Sequence, residues 1–302
     1  MYRSNGKLIL TGEYMVLLGA RAIVLPLKPG QDMQVSLKGQ DGQIKWNAYS
    51  MDYLWFTMVA DTVTWTVSET TDQNTAQKLV SLLQEAGNLN PALFASPGGL
   101  EVNTYTGFKM EWGFGSSAAL VANVAAWAGV DPFQLLFKTF GGSGADLAGA
   151  LSDGPVVYRQ INGKPSYCRI VFNPGYRDKL WLVYLGEKVD TGTGISGWNS
   201  TGKVERKHIT MIDDLTLRIA EARDLKEFVN LIGRHEQILS ELLEKPTVKE
   251  LMFDDFPGEM KSLGTWGGDF ALAVSEENET AVRQYFNSKG TTPIFSFNQI
   301  VL

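Results

Sequence analysis

Glu111-Trp112-Gly113-Phe114-Gly115-Ser116-Ser117-Ala118-Ala119 is a glycine and serine turn that runs directly into small, helix-favouring residues as far as Ala128. Glycine lets backbone approach an anion closely, and a helix start presents unpaired N–H groups at the positive end of its dipole, so phosphates can sit there. Ser116 and Ser117 add two hydroxyls, which serve as donors to an anion or as oxygen ligands for magnesium. No Gly-Lys-Ser/Thr follows, so the stretch is not a Walker A loop. Taken alone it reads equally as an ordinary glycine-rich turn with a serine N-cap.

Three more glycine clusters lie further along. The chain holds 31 glycines in 302 residues, about one in ten where roughly 7% is usual. Gly141-Gly142-Ser143-Gly144-Ala145-Asp146-Leu147-Ala148 puts Asp146 in the first turn of a short helix, where a solvated carboxylate is also the plain electrostatic expectation. Gly264-Thr265-Trp266-Gly267-Gly268-Asp269, preceded by Lys261, reads by itself as a tight turn, with Lys261 and Asp269 as surface and turn residues. Gly192-Thr193-Gly194-Ile195-Ser196-Gly197 matches the dinucleotide pattern G-x-G-x-x-G. Long helices rather than a prompt parallel strand follow it, which disfavours an NAD(P)-dependent oxidoreductase and favours a substrate-side loop.

Composition bounds the rest. With 44% hydrophobic and 20% charged residues, the chain can bury a large core, which excludes a disordered or disulfide-dependent class. Its 27 basic against 33 acidic side chains give a net charge of −6, which argues against a nucleic-acid backbone binder. One cysteine, Cys168, and two histidines, His208 and His235, supply neither a disulfide nor a Cys/His zinc site. The near-apolar run Ala118 to Val130 contains Asn123 and is too short for a bilayer. With no signal-peptide pattern at the start, the expectation is a cytoplasmic protein with a small-molecule partner, no nucleic acid and no membrane.

Periodicity predicts strands at Lys7 to Thr11, Ile23 to Leu27, Leu100 to Thr104, Val156 to Tyr158, Tyr167 to Phe172, Leu180 to Leu185, Phe270 to Val274 and Pro293 to Phe297. It also predicts a hairpin of Met33 to Leu37 with Gln43 to Trp46. Helices are predicted at Asn74 to Ala86 behind an Asn74 cap, Ser116 to Ala128, Pro132 to Phe137, Lys203 to Ala222, Leu225 to Leu243, Thr247 to Phe253 and Glu277 to Phe286. In the Leu225 to Leu243 helix, His235 falls among Leu231, Ile232, Ile238 and Leu239 and reads as a core residue. Strands and helices in mixed order predict an α+β class.

Together the glycine segments resemble the GHMP kinase superfamily, the group of galactokinase, homoserine kinase, mevalonate kinase and phosphomevalonate kinase. Lys7-Leu8-Ile9-Leu10-Thr11-Gly12-Glu13-Tyr14-Met15-Val16 resembles the first family motif, with Gly113 to Ala119, Gly142 to Ala148 and Lys261 to Asp269 following in family order. The resemblance implies a two-lobed fold: a ribosomal protein S5 domain 2-like amino-terminal lobe over residues 1–158, and a ferredoxin-like lobe over residues 159–302, with ATP and the acceptor between them. Gly12-Glu13-Tyr14 and Gly267-Gly268-Asp269 are similar to phosphomevalonate kinases, and Gly144-Ala145-Asp146-Leu147-Ala148 is similar to mevalonate kinases, especially archaeal-like forms. The shortness of the chain places mevalonate ahead as acceptor, with phosphomevalonate, homoserine or a sugar as alternatives. A non-catalytic metabolite-binding member of the group is the further alternative.

The resemblance implies roles as well. Asp146 and Lys7 would be the catalytic pair, orienting and polarising the acceptor hydroxyl. Gly113, Phe114, Gly115, Ser116, Ser117 and Ala118 would hold the ATP phosphates, with Ser116 or Ser117 on Mg2+. Glu13, Tyr14, Gly264, Gly267 and Gly268 would shape the acceptor side, where Trp266 narrows the pocket. Two departures stand out: Tyr14 replaces a histidine common after that glutamate, and Pro132 to Phe137 lacks the carboxylate with which mevalonate kinases commonly bind magnesium.

Overall fold

Apolar and polar residues alternate through Gln43 to Asp61, and that two-residue period makes a half-buried hairpin. In the computed structural model, which describes residues 1–95, 98–186 and 204–302, strands β3 (Gln43–Ser50) and β4 (Tyr53–Asp61) pair antiparallel. Ile44, Trp46 and Ala48 from one strand and Phe56, Met58 and Ala60 from the other are buried in the same core. A short β5 (Val67–Thr70) extends the pair beside β4.

The predicted hairpin between Met33 to Leu37 and Gln43 to Trp46 does not form. β6 (Leu100–Thr106) lies between the two segments, antiparallel to β2 (Ala22–Leu37) and parallel to β3. The connection is held at Gly99, whose carbonyl accepts the Lys38 N–H. A Cβ on Gly99 would come within 2.5 Å of the Gln40 carbonyl, so a bare backbone there lets the later strand enter.

Residues Met1–Gly6, Pro29–Met110 and Phe114–Leu151 form one compact unit, and Lys7–Lys28, Glu111–Gly113 and Ser152–Leu302 form a second. β2 passes through both. In the first unit the strands are joined by α1 (Gln73–Leu89), α2 (Ser116–Ala128), α3 (Pro132–Thr139) and α4 (Ala145–Leu151). The cap of α1 is Asp72 rather than Asn74; its Oδ1 accepts the Thr75 N–H at 2.6 Å. Asn123, inside the apolar α2, is 1% exposed. Its Oδ1 accepts from the Ser4 hydroxyl at 2.8 Å and its Nδ2 donates to the Gln31 carbonyl at 3.0 Å, so burial leaves both ends satisfied.

In the second unit, β7 (Val156–Ile161) and β8 (Lys164–Arg169) pair with Ile161 opposite Lys164. Asn162 and Gly163 between them have φ of 52° and 73°, the left-handed pair that a two-residue hairpin turn requires. That turn places β8 three residues earlier than periodicity alone predicted. β8 pairs with β7 alone and carries Cys168, a free and exposed thiol. A separate antiparallel sheet has the order β10 (Glu259–Leu263), β11 (Phe270–Val274), β9 (Leu180–Tyr184), β12 (Ile294–Ser296). Trp181, Met260, Ala271 and Ile294 from this sheet are buried in one core with Phe253 and Phe286. Two long helices, α5 (Arg206–Glu221) and α6 (Leu225–Leu243), pack on each other, and α6 packs on β10. Among the described residues, no helix is long and apolar enough to cross a membrane.

Candidate functional site

The four segments that resemble the family motifs fall in pairs, one pair in each unit, with Gly113 alone of its segment in the second. In the first unit, Gly115 occupies the N-cap of α2 with φ 84°, and no side chain caps the helix. A glycine rather than a serine therefore holds that position, and Ser116 is the first helical residue. Phe114 is fully buried and meets Phe108 edge-on at 5.7 Å, which anchors the turn and leaves Phe114 only its backbone to offer. Ser116 is half-buried, Ser117 exposed and Ala118 buried.

α4 packs against α2. It begins after Gly144, whose φ is 85°, and the Ala145 N–H donates to the Ser143 hydroxyl at 3.2 Å. Asp146 stands in its first turn, half-buried. The helix start predicted to bind phosphate and the predicted catalytic carboxylate thus sit on neighbouring helices of one unit. Lys7, on β1 (Tyr2–Ile9), is buried and belongs to the second unit.

In the second unit the first motif meets the last. Gly12 has φ 80°, and a Cβ there would lie 2.2 Å from the Arg21 carbonyl, so this turn accepts glycine alone. Its N–H donates to His235 Nε2 at 3.0 Å. Lys261 Nζ donates to Glu13 Oε1 at 2.5 Å and to the Ser262 carbonyl at 2.8 Å, and lies 3.8 Å from Glu236 Oε2. Glu236 Oε1 accepts from the Ser262 N–H at 3.0 Å and hydroxyl at 2.8 Å. Lys261 is fully buried, which corrects its reading as a surface residue.

Burial raises Glu13 to about 7 against the opposing pull of Lys261. Glu236 is raised for the same reason, and burial with the Lys261 charge holds His235 well below its ordinary value, so the imidazole is neutral. Tyr14 Oη accepts the Trp266 N–H at 2.7 Å, and Trp266 Nε1 donates to the Pro246 carbonyl at 3.2 Å. Trp266 lines a cavity of about 470 Å3 with Leu185, Val248, Leu251, Met252 and Lys245. Gly264 and Gly267 have φ of 75° and 76°, and the Gly268 N–H closes the turn on the Thr265 carbonyl at 3.1 Å.

Trp112 packs edge-on against Phe295 at 5.3 Å and Phe270 at 6.4 Å. Beside it, Gly113 has no room for a side chain: a Cβ would lie 1.9 Å from Asp269 Oδ2. The carboxylate that ends the last glycine motif therefore abuts the glycine that opens the Gly113 to Ala119 turn. Gly192 to Gly197, the dinucleotide-like string, lies outside the described residues. Among the described residues, no group of three or more His, Cys, Asp or Glu is arranged to hold a metal.

Sequence reasoning did not find the Lys261–Glu236–His235 grouping. One signal was available, because Glu236 sits in the apolar stripe of α6 between Ile232 and Leu239, where a solvated carboxylate has no place.

No protein-family model matches the sequence, and no curated protein does. Solved structures do match in fold. Mevalonate kinase of Methanococcus jannaschii superposes with a TM-score of 0.68 at 17% identity, over 97% of this chain and 96% of that one. Phosphomevalonate kinase of Streptococcus pneumoniae, solved with phosphomevalonate and AMPPNP, gives 0.71 at 16% identity over 97% and 98%. Galactokinase of Lactococcus lactis, solved with galactose, gives 0.64 at 13% over 97% and 91%. The chain has the GHMP kinase fold. The α+β class is the one expected from the mixed order of strands and helices. Length does not separate the two kinases, since the mevalonate kinase and the phosphomevalonate kinase are covered over 96% and 98% of their own lengths.

Proposed function

We propose that this protein is an ATP-dependent phosphotransferase acting on a small hydroxylated carboxylate, with mevalonate as the first acceptor to test. The observation that carries the reading is the uncapped start of α2 behind Gly115, with Asp146 on the adjoining α4. Backbone N–H groups of Gly113 to Ala118 hold the phosphates of ATP, so the acidic net charge is no obstacle. Asp146 orients the acceptor hydroxyl and takes its proton as the oxygen bonds to the γ-phosphorus and the bond to the β-phosphate oxygen breaks. Lys7 contributes a buried positive charge to the same reaction. Glu13, Tyr14, Gly264, Gly267 and Gly268 shape the acceptor side, and Trp266 limits its width.

Magnesium would arrive on the nucleotide, and the hydroxyl of Ser116 or Ser117, at the start of α2, would give it one oxygen ligand. When bound, the ion neutralises phosphate charge. Phosphomevalonate is the second reading, favoured by the resemblance of Gly12-Glu13-Tyr14 and Gly267-Gly268-Asp269 to phosphomevalonate kinases. The test is an ATP-coupled screen of mevalonate, phosphomevalonate, homoserine and galactose, with products identified by mass spectrometry. Turnover is expected with one acceptor, and Asp146→Asn should lower it by about 10²–10⁴-fold while leaving ATP binding intact. Full activity in Asp146→Asn, or no phosphorylated product from any acceptor, would sink the reading.

A further inference from the structure

Glu13, His235, Glu236 and Lys261 come from three separate elements, yet their exposures are 3%, 0%, 2% and 0%. His235 Nε2 accepts the Gly12 N–H, so the ring proton sits on Nδ1 and the imidazole carries no charge. One ammonium then faces two carboxylates. Leaving both ionised would bury a net negative charge, which is costly in a low dielectric unless a proton or a partner removes it. Among the described residues, Glu13 Oε2, Glu236 Oε2 and His235 Nδ1 have no hydrogen-bond partner. Glu13 Oε2 lies 3.8 Å from His235 Nε2, too far for a direct hydrogen bond.

We propose that Glu13 and Glu236 jointly retain one proton, and that Lys261 and Glu236 are positioning residues that clasp the Gly12–Tyr14 turn to β10 and the glycine turn after it. The clasp is a feature of the fold, and its effect on the acceptor rests on the function proposed above. The groups facing Glu13 are Lys261 from β10, Glu236 and His235 from α6, and Tyr14 beside it. Two interacting carboxyls titrate as a pair. Burial places the Glu13 carboxyl at about 7 and raises Glu236 as well, so the retained proton leaves within the neutral range. Its loss strands a buried charge, which the protein relieves by shifting the Glu13 turn, and with it Tyr14 and the Trp266 backbone it accepts from.

The test compares the full-length protein with Glu13→Gln and Glu236→Gln from about pH 5.5 to 8. The thermal midpoint of the wild type, taken relative to Glu13→Gln, should fall as pH rises through the neutral range. In Glu236→Gln the remaining carboxyl faces the ammonium alone, so the inflection should move acidic by about one unit or more. Titration of 13C-labelled glutamate side chains in the unmodified protein should show a carboxyl titrating near neutrality, which needs no substitution. In kinetics, the inflection in acceptor KM should move with Glu236→Gln while that in kcat stays, a split that a merely structural role would not produce. The proposal is overturned if no glutamate carboxyl titrates between about pH 6 and 8, or if the inflection is the same in all three proteins. Melting and carboxyl titration need no turnover, so an inactive protein with an intact titration refutes the kinase and leaves the clasp. Intact turnover without the titration refutes the clasp alone.

Discussion

At Gly113 the backbone is left-handed and the space beside it is filled by the Asp269 carboxylate. Gly113→Ala should cost about 1–2 kcal/mol from the left-handed backbone, and it must also displace Asp269, so ATP affinity and thermal midpoint should both fall. Adding Asp269→Ala should recover most of the steric part and leave the backbone part, which melting of the single and double variants separates. Tyr14→Phe makes a narrower change. It removes the acceptor of the buried Trp266 N–H and should destabilise by about 1–3 kcal/mol. A midpoint unchanged in Tyr14→Phe would show that this N–H finds another partner. The residue scale is also where sequence reading reached least far. Lys261 and Asp269 stand in a glycine string that reads as a surface turn, and their contacts are with Glu13 and Gly113, more than 150 positions away. Nothing local announces such a partner.

Elements were more legible, because their causes lie within a few residues. The Leu225–Leu243 and Phe270–Val274 boundaries follow from apolar periodicity and agree with the structure. Pro132 sits in the first turn of α3 as its ring geometry favours. Pairing was less legible, since β6 enters between β2 and β3 from 50 residues downstream, and a local hairpin pattern carries no trace of that. Caps offer a clean check on element energetics: Asp72→Ala should cost about 1 kcal/mol and lower the midpoint without altering ATP affinity. Asn123→Leu belongs to the same scale. It strands the Ser4 hydroxyl and the Gln31 carbonyl beneath α2, and a loss of about 1–3 kcal/mol is expected.

For the molecule as a whole, the buried groups set opposing pH dependences. The raised Glu13 contributes stability that is complete below its unfolded value of 4.5 and lost as pH rises through about 7. The depressed His235 contributes stability present above its unfolded value of 6.5 and lost as pH falls below it. Between these unfolded values the two slopes oppose, and above the higher one only the glutamate slope persists. His235→Leu removes the imidazole slope, so the wild-type midpoint minus the variant midpoint should shrink on acidification from about pH 6.5 to 5. The order of the four motifs made the global fold readable, because a shared arrangement of segments survives where identity to solved structures has fallen to 17% or less in the three described. The exposed thiol of Cys168 on β8 is the chain's single cysteine. A maleimide dye will consequently attach at one known address in the unaltered protein, giving a single fluorescent label without any engineered substitution.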